Sequence, residues 1–238
     1  NSKALRMKNT AADLERAILA IYPEIEVRAF ASFDDQTEKS LWRELSCCVL
    51  SSQVPYPVAV AAAETIDAHK LLYAEYHHSL DDELSAILKT PLLVNGTMRN
   101  YRFPASRAKQ LASTKRAVVN SFGTLQNLLE EKDDELMLRS WLVANASGLG
   151  PKQASMFLRN CGVTYRLAVL DRHVLDFMRA IGLYTGSANH ISNLAPYRRY
   201  ETDLTVYAHG LGTTVGLLDW AIWIVMRMAK GPGEEITV

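Results

Sequence analysis

An all-α fold of short helices and short loops is the prediction that this sequence supports best. Its 238 residues are 48% hydrophobic and 22% charged, which is ordinary for a globular chain able to bury a sizeable core. Apolar residues recur at helical spacing through most of the chain, whereas the alternation typical of strands is scarce. The best alternating stretch, residues 24–33, is weak. We find no fixed-period repeat and no low-complexity tract.

The first half of the chain predicts five helices bounded by capping residues or prolines. Thr10 and Asp13 have the spacing of a capping box, and we expect the helix that they open to end at Pro23. Pro55 and Pro57 separate a helix beginning at Leu41 from an alanine-rich helix. The expected segments run from 10 to 23, from 41 to the two prolines, from there to about 69, from 79 to about 91, and from 104 to about 120.

The second half predicts five more helices. Pro151 occupies a first helical position, where its missing N–H costs nothing, and Asp171 is a favoured N-cap for the helix after it. Gly231, Pro232 and Gly233 should stop the last helix. The expected segments are 133–146, 151 to about 160, 171–181, about 201–209 and 215–229.

The turn between two of these helices, Gly148-Leu149-Gly150, is a candidate phosphate-binding hairpin. Glycine permits positive φ, so the backbone N–H groups of such a turn can approach a ligand closely. The N-terminus of the next helix adds partial positive charge. A hairpin of this kind positions a nucleic-acid backbone without reading its sequence. The alternative is a plain helix–turn–helix corner capped by glycine.

Lys152 follows this turn, and Asp171 lies nineteen residues later. The helix dipole disfavours a cation in the first turn, so the field and burial should lower the pKa of Lys152. A neutral amine can attack an electrophilic carbon and form a Schiff base. Asp171 could cap its helix, stabilise positive charge developing at a sugar C1′, or do both.

The charge distribution is compatible with a nucleic-acid partner although the formal net charge is zero. No acidic residue lies between Glu83 and Glu130, and that interval carries seven basic residues. They form either a footprint for a phosphate backbone or a solvated face balanced by the acidic run at 130–135. The seven are Lys89, Arg99, Arg102, Arg107, Lys109, Lys115 and Arg116.

Three cysteines favour a reducing compartment and are too few for a four-cysteine cluster. His77 and His78 lack a second group of ligands, so no metal site is expected. The longest apolar run, 217–226, contains Asp219 and is too short to span a bilayer. The first thirty residues mix charged and apolar types, so we expect no signal peptide, no membrane association, and a cytoplasmic, nucleoid-associated protein.

The segments 148–154 and 169–174 resemble the hairpin and the following aspartate loop of the helix–hairpin–helix DNA glycosylase superfamily. The resemblance is strongest to the 8-oxoguanine DNA glycosylases of the second, archaeal and bacterial type. Segments 50–53, 101–111 and 218–223 also look like parts of that family. The resemblance implies a fold of two helical lobes, with the active site in the cleft between them. We expect a central lobe from 41 to 165 and a second lobe from 1–40 and 166–238.

The resemblance also implies roles for individual residues. Lys152 would attack C1′ and lead to β-elimination, and Asp171 would assist it. Gln53 would fill the gap left by a base swung out of the duplex. For several positions a plainer interpretation stays open, as polar surface, helix cap or core. The implied DNA contacts are Gly148, Gly150, Gln53, Arg107, Lys109 and His173, and the implied base pocket is Met156, Asp219 and Trp223.

Two departures from the family pattern stand out. Ser147 replaces a proline usual before the first glycine, and Pro151 precedes the lysine. The leading hypothesis is a bifunctional DNA glycosylase/AP lyase that excises 8-oxoguanine without a cofactor. Its expected partner is double-stranded DNA containing a damaged or modified base, bound by a monomer. The alternatives are the same chemistry on another modified base, for instance in foreign DNA, or a non-catalytic helix–hairpin–helix DNA-binding module.

Overall fold

The computed structural model describes residues 10–31, 36–131 and 134–230. These ranges contain eleven helices and one two-stranded antiparallel sheet, so the all-α prediction is confirmed. The helices are α1 (Ala11–Ala31), α2 (Glu38–Leu50), α3 (Tyr56–Ala68), α4 (Leu80–Lys89), α5 (Pro104–Phe122), α6 (Leu125–Glu131), α7 (Glu135–Asn145), α8 (Pro151–Asn160), α9 (Arg172–Ala180), α10 (Leu194–Gly210) and α11 (Val215–Lys230). The strands are β1 (Leu92–Val94) and β2 (Thr97–Arg99).

Helix α1 confirms one N-terminal prediction and corrects two. The capping box is present, since Thr10 and Asp13 exchange backbone-to-side-chain hydrogen bonds of 3.2 Å. Pro23 does not end the helix, and residues 24–31 are helical, so the predicted end and the strand are both wrong. Pro23 itself is exposed, while Ile25 and Ala29 are buried on the face that packs against α11. That burial outweighs the hydrogen bond that proline cannot make. Ser32 and Phe33 lie outside the described residues.

The sequence did not lead us to predict one helix and one β-hairpin. Helix α6 lies before the predicted helix at 133, and strands β1 and β2 form a hairpin with Leu92 opposite Arg99. Asn95 and Gly96 make its turn with φ of 48° and 78°. Asn-Gly between apolar residues is the signal for such a turn, so this hairpin was readable from the sequence.

The core divides into two clusters of buried residues. One is built from α2 to α8, and the other from α1 and α9 to α11. The extended segment 167–170 runs between them: Leu167 and Val169 belong to the first cluster, while Ala168 and Leu170 belong to the second. This alternation places the residues just after 170 between two lobes. The exact domain boundary at 165 and 166 stays a prediction.

No single helix in the described ranges is long and apolar enough to cross a membrane. Helix α10 and residues 215–229 of α11 meet that criterion only as a pair, and the pair is bent by 91°.

Candidate active site

The glycine turn lies between α7 and α8, as predicted. Gly148 has a φ of 90°, and a Cβ there would lie 2.7 Å from Oε1 of Gln110 and 3.2 Å from Cγ1 of Val49. Conformation and space therefore both require glycine at this position. Leu149 is buried and anchors the turn, and Gly150 is the N-cap of α8. The N-terminus of α8 consequently faces a groove of about 480 Å³.

Lys152 lies in the first turn of α8 and lines two cavities. Burial lowers the pKa of its amine from the usual 10.5, and the nearby carboxylate of Asp171 opposes that shift without cancelling it. Asp171 lines the same two cavities. The structure therefore brings together the two residues that the sequence proposed as a pair, although they are far apart in the chain.

Asp171 also caps a helix, as predicted. Its Oδ1 accepts a hydrogen bond from the Val174 N–H at 2.9 Å. The segment before it is held by side chains of α10 and α11, because each of three successive N–H groups donates to a buried side chain of these helices. The three donations are Ala168 N–H to Glu201 Oε1 at 2.8 Å, Val169 N–H to Asp219 Oδ2 at 2.6 Å, and Leu170 N–H to the Tyr197 hydroxyl at 2.9 Å. Asp171 thus sits on a rigid frame between the lobes.

A buried ion pair connects this frame to the helix that carries Lys152. Arg139 donates to both carboxylate oxygens of Glu201 at 2.6 Å, and to Ser155 Oγ at 3.0 Å. Ser155 lies one turn after Lys152 on α8, while Glu201 holds Ala168. The helix that carries Lys152 and the segment that carries Asp171 are therefore linked through Arg139.

The candidate base pocket is a cavity of about 330 Å³ that reaches Lys152 and Asp171. Met156 and Trp223 line it from α8 and α11, and Tyr56 contributes from α3. Arg159 and Trp220 also line it and were missed by the sequence reasoning. Arg159 follows Lys152 by seven residues, a spacing that puts both on one face of a helix and could have revealed it.

Asp219 is buried at the same cavity, with 1% of its surface exposed. Its Oδ1 accepts from Arg159 Nη1 at 2.5 Å, and its Oδ2 accepts from the Val169 N–H at 2.6 Å. Burial raises the pKa of Asp219 to about 7, while Arg159 and the Val169 amide oppose the rise. Both carboxylate oxygens of this buried acid therefore have a hydrogen-bond partner.

The groove at the hairpin contains Gln53, Gly148, Gly150 and, from the segment before α10, His190. Gln53 is exposed and has a φ of 60°, an uncommon conformation for a residue with a side chain. Gln53 follows the end of α2, in the lobe built from α2 to α8. It lines the same groove as Asp171 and Arg172 at the start of α9, which belongs to the other lobe. This placement is compatible with the wedge role that was predicted for it.

The basic segment does not form one exposed face. Lys109 is exposed, but Arg107 and Lys115 are buried, so the expected footprint of seven is wrong for those two. Arg107 donates to the Ser52 carbonyl at 2.9 Å and to Gln110 Oε1 at 2.6 Å. It therefore anchors the loop before Gln53 instead of presenting its charge to solvent.

His173 is buried in the first turn of α9, and its Nε2 lies 3.4 Å from Arg172 Nε. A polar-surface interpretation is therefore wrong for His173, and its implied contact with DNA stays a prediction. In the part of the chain that the structure describes, no group of three or more His, Cys, Asp or Glu side chains is placed to hold a metal ion.

Comparison with known proteins assigns the chain to a family. A family model described as 8-oxoguanine DNA glycosylase matches residues 24–213. The chain is 32% identical over 225 residues to the 8-oxoguanine DNA glycosylase/AP lyase of Thermotoga maritima, covering 93% of this chain and 98% of that protein. It is 29% identical over 208 residues to the protein of the same name from Saccharolobus solfataricus, covering 84% and 92%. The chain belongs to the 8-oxoguanine DNA glycosylase family.

Solved structures agree with this assignment. The crystal structure of the Thermotoga maritima 8-oxoguanine DNA glycosylase aligns with a TM-score of 0.70 at 29% identity, covering 90% of this chain and 94% of that one. The Methanocaldococcus jannaschii 8-oxoguanine glycosylase/lyase, solved with a 15mer DNA containing 8-oxoguanine, aligns at 0.65 and 23% identity, covering 89% and 88%. At this level of identity, the second match shows a similar fold and nothing more.

Proposed function

We propose that this protein is a bifunctional DNA glycosylase and AP lyase that excises 8-oxoguanine from double-stranded DNA. The main support is the placement of Lys152 and Asp171, which line one cavity between the lobes next to a hairpin that can hold a phosphate backbone. Buried contacts restrain both residues, so their relative geometry needs little reorganisation during the reaction.

The groove at the hairpin binds the DNA backbone. The N–H groups of the glycine turn and the N-terminus of α8 attract a phosphate, and exposed Lys109 adds charge on the helix that packs under the turn. Gln53 enters the space left in the stack when the damaged nucleotide swings out. The extracted base then lies between Met156 and Trp223, which contribute an apolar wall each.

Lys152 carries out the covalent chemistry. Its lowered pKa raises the fraction of neutral amine, whose lone pair attacks C1′. The glycosidic bond breaks, and the base leaves with the bonding electrons. The amine now bound to C1′ loses a proton as the C1′–O4′ bond breaks, O4′ takes up a proton, and a Schiff base results. This Schiff base makes the C2′ proton acidic, and loss of that proton breaks the C3′–O3′ bond, expels the 3′ phosphate and cuts the strand. Asp171 stabilises the positive charge at C1′, and no cofactor takes part.

Borohydride trapping tests the nucleophile. Wild-type protein mixed with a duplex containing 8-oxoguanine or an abasic site should give a covalent adduct on reduction. Lys152→Gln should abolish the adduct, while Lys39→Gln, a control at an exposed lysine of α2, should leave it unchanged. If the wild-type protein gives no adduct with either duplex, the chain is a DNA-binding module and this proposal fails.

The pH dependence of trapping tests the pair. The carboxylate of Asp171 raises the pKa of Lys152, so Asp171→Asn should lower that pKa further. The trapped fraction of the variant should be smaller, yet its half-maximum should lie at a lower pH than that of the wild-type. A half-maximum that stays in place or moves upward would separate the two residues functionally.

A panel of duplexes tests the substrate. Excision should be fastest for 8-oxoguanine among duplexes that carry different modified bases in one sequence context. If a modified base typical of foreign DNA is excised faster than 8-oxoguanine, the proposed reaction stands but the proposed substrate and biological role are wrong.

The salt dependence of DNA binding tests the proposed contacts with the phosphate backbone. Lys109→Gln should reduce the slope of log affinity against log salt concentration by about 0.9, because one phosphate contact is lost. Lys39→Gln should leave the slope unchanged. Sedimentation of the DNA-bound protein should give one copy per duplex.

A further inference from the structure

The ion pair between Arg159 and Asp219 carries more charge into the base cavity than its structural contact requires, since the Val169 N–H that Asp219 holds needs only one acceptor. The Asp219 side chain is 1% exposed and the Arg159 side chain 15%, and both line the cavity. Burying a charged pair costs free energy in desolvation, and a neutral acceptor for the Val169 N–H beside an apolar side chain would fill the site at lower cost. A charged pair at a cavity wall is therefore suited to recognition of a polar ligand.

Helical spacing places this pair at the far end of the pocket from the nucleophile. Lys152, Met156 and Arg159 follow one face of α8, and Asp219 precedes Trp223 by one turn on α11. Seven residues of helix separate Lys152 from Arg159, a distance of about 10 Å along the axis. A purine with C1′ at Lys152 and its ring between Met156 and Trp223 would direct its six-membered ring towards the ion pair.

The contacts of Arg159 leave part of its donor capacity unused. Nη1 donates to Asp219 at 2.5 Å, and Nε donates to Asn160 Oδ1 at 3.4 Å. Nη2 has no hydrogen-bond partner within the residues that the structure describes, although arginine carries five N–H donors. The guanidinium is 5.9 Å from the centre of the Trp220 ring and is anchored by Asp219, so it is held in place without a ligand.

We infer that Arg159 determines the specificity of this site by donating a hydrogen bond to the oxygen at C6 of the extracted purine. Asp219 fixes the guanidinium and, through its remaining lone pairs, accepts from the N–H groups beside that oxygen. A purine with an amino group at C6 directs N–H donors against N–H donors, which leaves buried groups unpaired on both sides. The site therefore selects 6-oxo purines over 6-amino purines. This inference rests on the proposed function.

The test compares four duplexes of one sequence under single-turnover conditions. Three carry 8-oxoguanine, 8-oxohypoxanthine or 8-oxoadenine, and the fourth carries an abasic site. The second base keeps the oxygen at C6 and lacks the amino group at C2, whereas the third has an amino group at C6. Strand cleavage at the abasic site requires Lys152 and no base recognition, so it reports the fold and the nucleophile of every variant.

For the wild-type we expect both 6-oxo bases to be excised well and 8-oxoadenine at least 100-fold more slowly. Arg159→Met should slow excision of the 6-oxo bases by about 10- to 100-fold and reduce the selectivity at C6 by a similar factor. Cleavage of the abasic duplex should change less than about threefold. Arg43→Met removes the same charge at an exposed position of α2 and should change none of these rates.

If Arg159→Met fails to fold, the double variant Arg159→Gln with Asp219→Asn replaces it in the test. This variant keeps a neutral pair of side chains that can hydrogen-bond to each other. Because an amide can donate or accept, its rates on 8-oxoguanine and 8-oxoadenine should converge. Unchanged selectivity in a variant that still cleaves the abasic duplex would overturn the role of Arg159. Failure of the wild-type to act on any of the four duplexes would instead overturn the proposed function.

Discussion

Two buried arginine–carboxylate pairs in this protein have the same chemistry and different surroundings. Arg139 and Glu201 make two hydrogen bonds of 2.6 Å between side chains that are 0% and 8% exposed. Arg159 and Asp219 make one bond of 2.5 Å, with the arginine 15% exposed at a cavity. Each carboxylate also accepts a backbone N–H, from Ala168 in the first pair and from Val169 in the second. Arg139 additionally donates to Ser155 Oγ, whereas Arg159 lies at a cavity.

This difference separates a scaffold contact from a recognition contact. The pair of Arg139 lies among α7, α8 and α10 and fixes the segment before Asp171, so its loss exposes no site and disturbs the frame. The pair of Arg159 faces a cavity, where a ligand can compete with or add to its hydrogen bonds. Substitutions at the first pair should act on stability, and those at the second should act on stability and, in addition, on substrate selection.

The largest effect should come from Arg139→Met. It leaves Glu201 as an uncompensated buried carboxylate, so the free energy of unfolding should fall by about 3–5 kcal/mol. Urea denaturation monitored by circular dichroism measures this. Replacing both partners, as Arg139→Met with Glu201→Leu, should recover most of the loss. A single variant as stable as the wild-type would show that the pair contributes little to the frame.

Asp219→Asn should give a pH-dependent effect. Burial raises the pKa of Asp219 to about 7, against about 3.9 in the unfolded chain. The folded state therefore binds a proton more tightly, and stability from this group is full below pH 4 and is lost as pH rises towards 7. Relative to the variant, the wild-type should lose about 4 kcal/mol between pH 4 and 7.5, since the two states differ by about three pKa units and one unit is about 1.4 kcal/mol. Parallel stability curves across this range would contradict the raised pKa.

The smallest effect should come from an exposed pair used as a reference. Arg28 and Glu24 are 2.6 Å apart on α1, with side chains 66% and 67% exposed. Glu24→Gln should change the free energy of unfolding by no more than about 0.5 kcal/mol, since solvent screens such pairs. A loss comparable to that of Arg139→Met would mean that burial does not govern the ranking of these pairs.

Local signals predicted most of the helices. The capping box at Thr10, the start of α8 at Pro151 and the cap at Asp171 each depend on one or two neighbouring residues, and each is present. Pro23 misled the prediction because its local cost was outweighed by packing of α1 against α11. The hairpin at Asn95 was missed although its turn signal was available.

The candidate site divides in the same way. Its residue types and their spacing on α8 and α11 are properties of the sequence, because helical periodicity alone puts Lys152, Met156 and Arg159 on one face. The direction in which a charged side chain of the basic segment points, towards solvent or towards the interior, does not follow from the sequence alone. Arg107 is buried and donates to the Ser52 carbonyl, while Lys109, two residues later, is exposed.

The sequence by itself determined the helical class and the caps, since these depend on periodicity and on short-range hydrogen bonding. It suggested Lys152 and Asp171 as a pair, but the tertiary structure decided that they line the same cavities. Only the tertiary structure decided that Asp219 meets Arg159 and that Arg139 joins Ser155 to Glu201. Those contacts link residues sixty or so positions apart, and burial of apolar faces against one another is what brings such residues together.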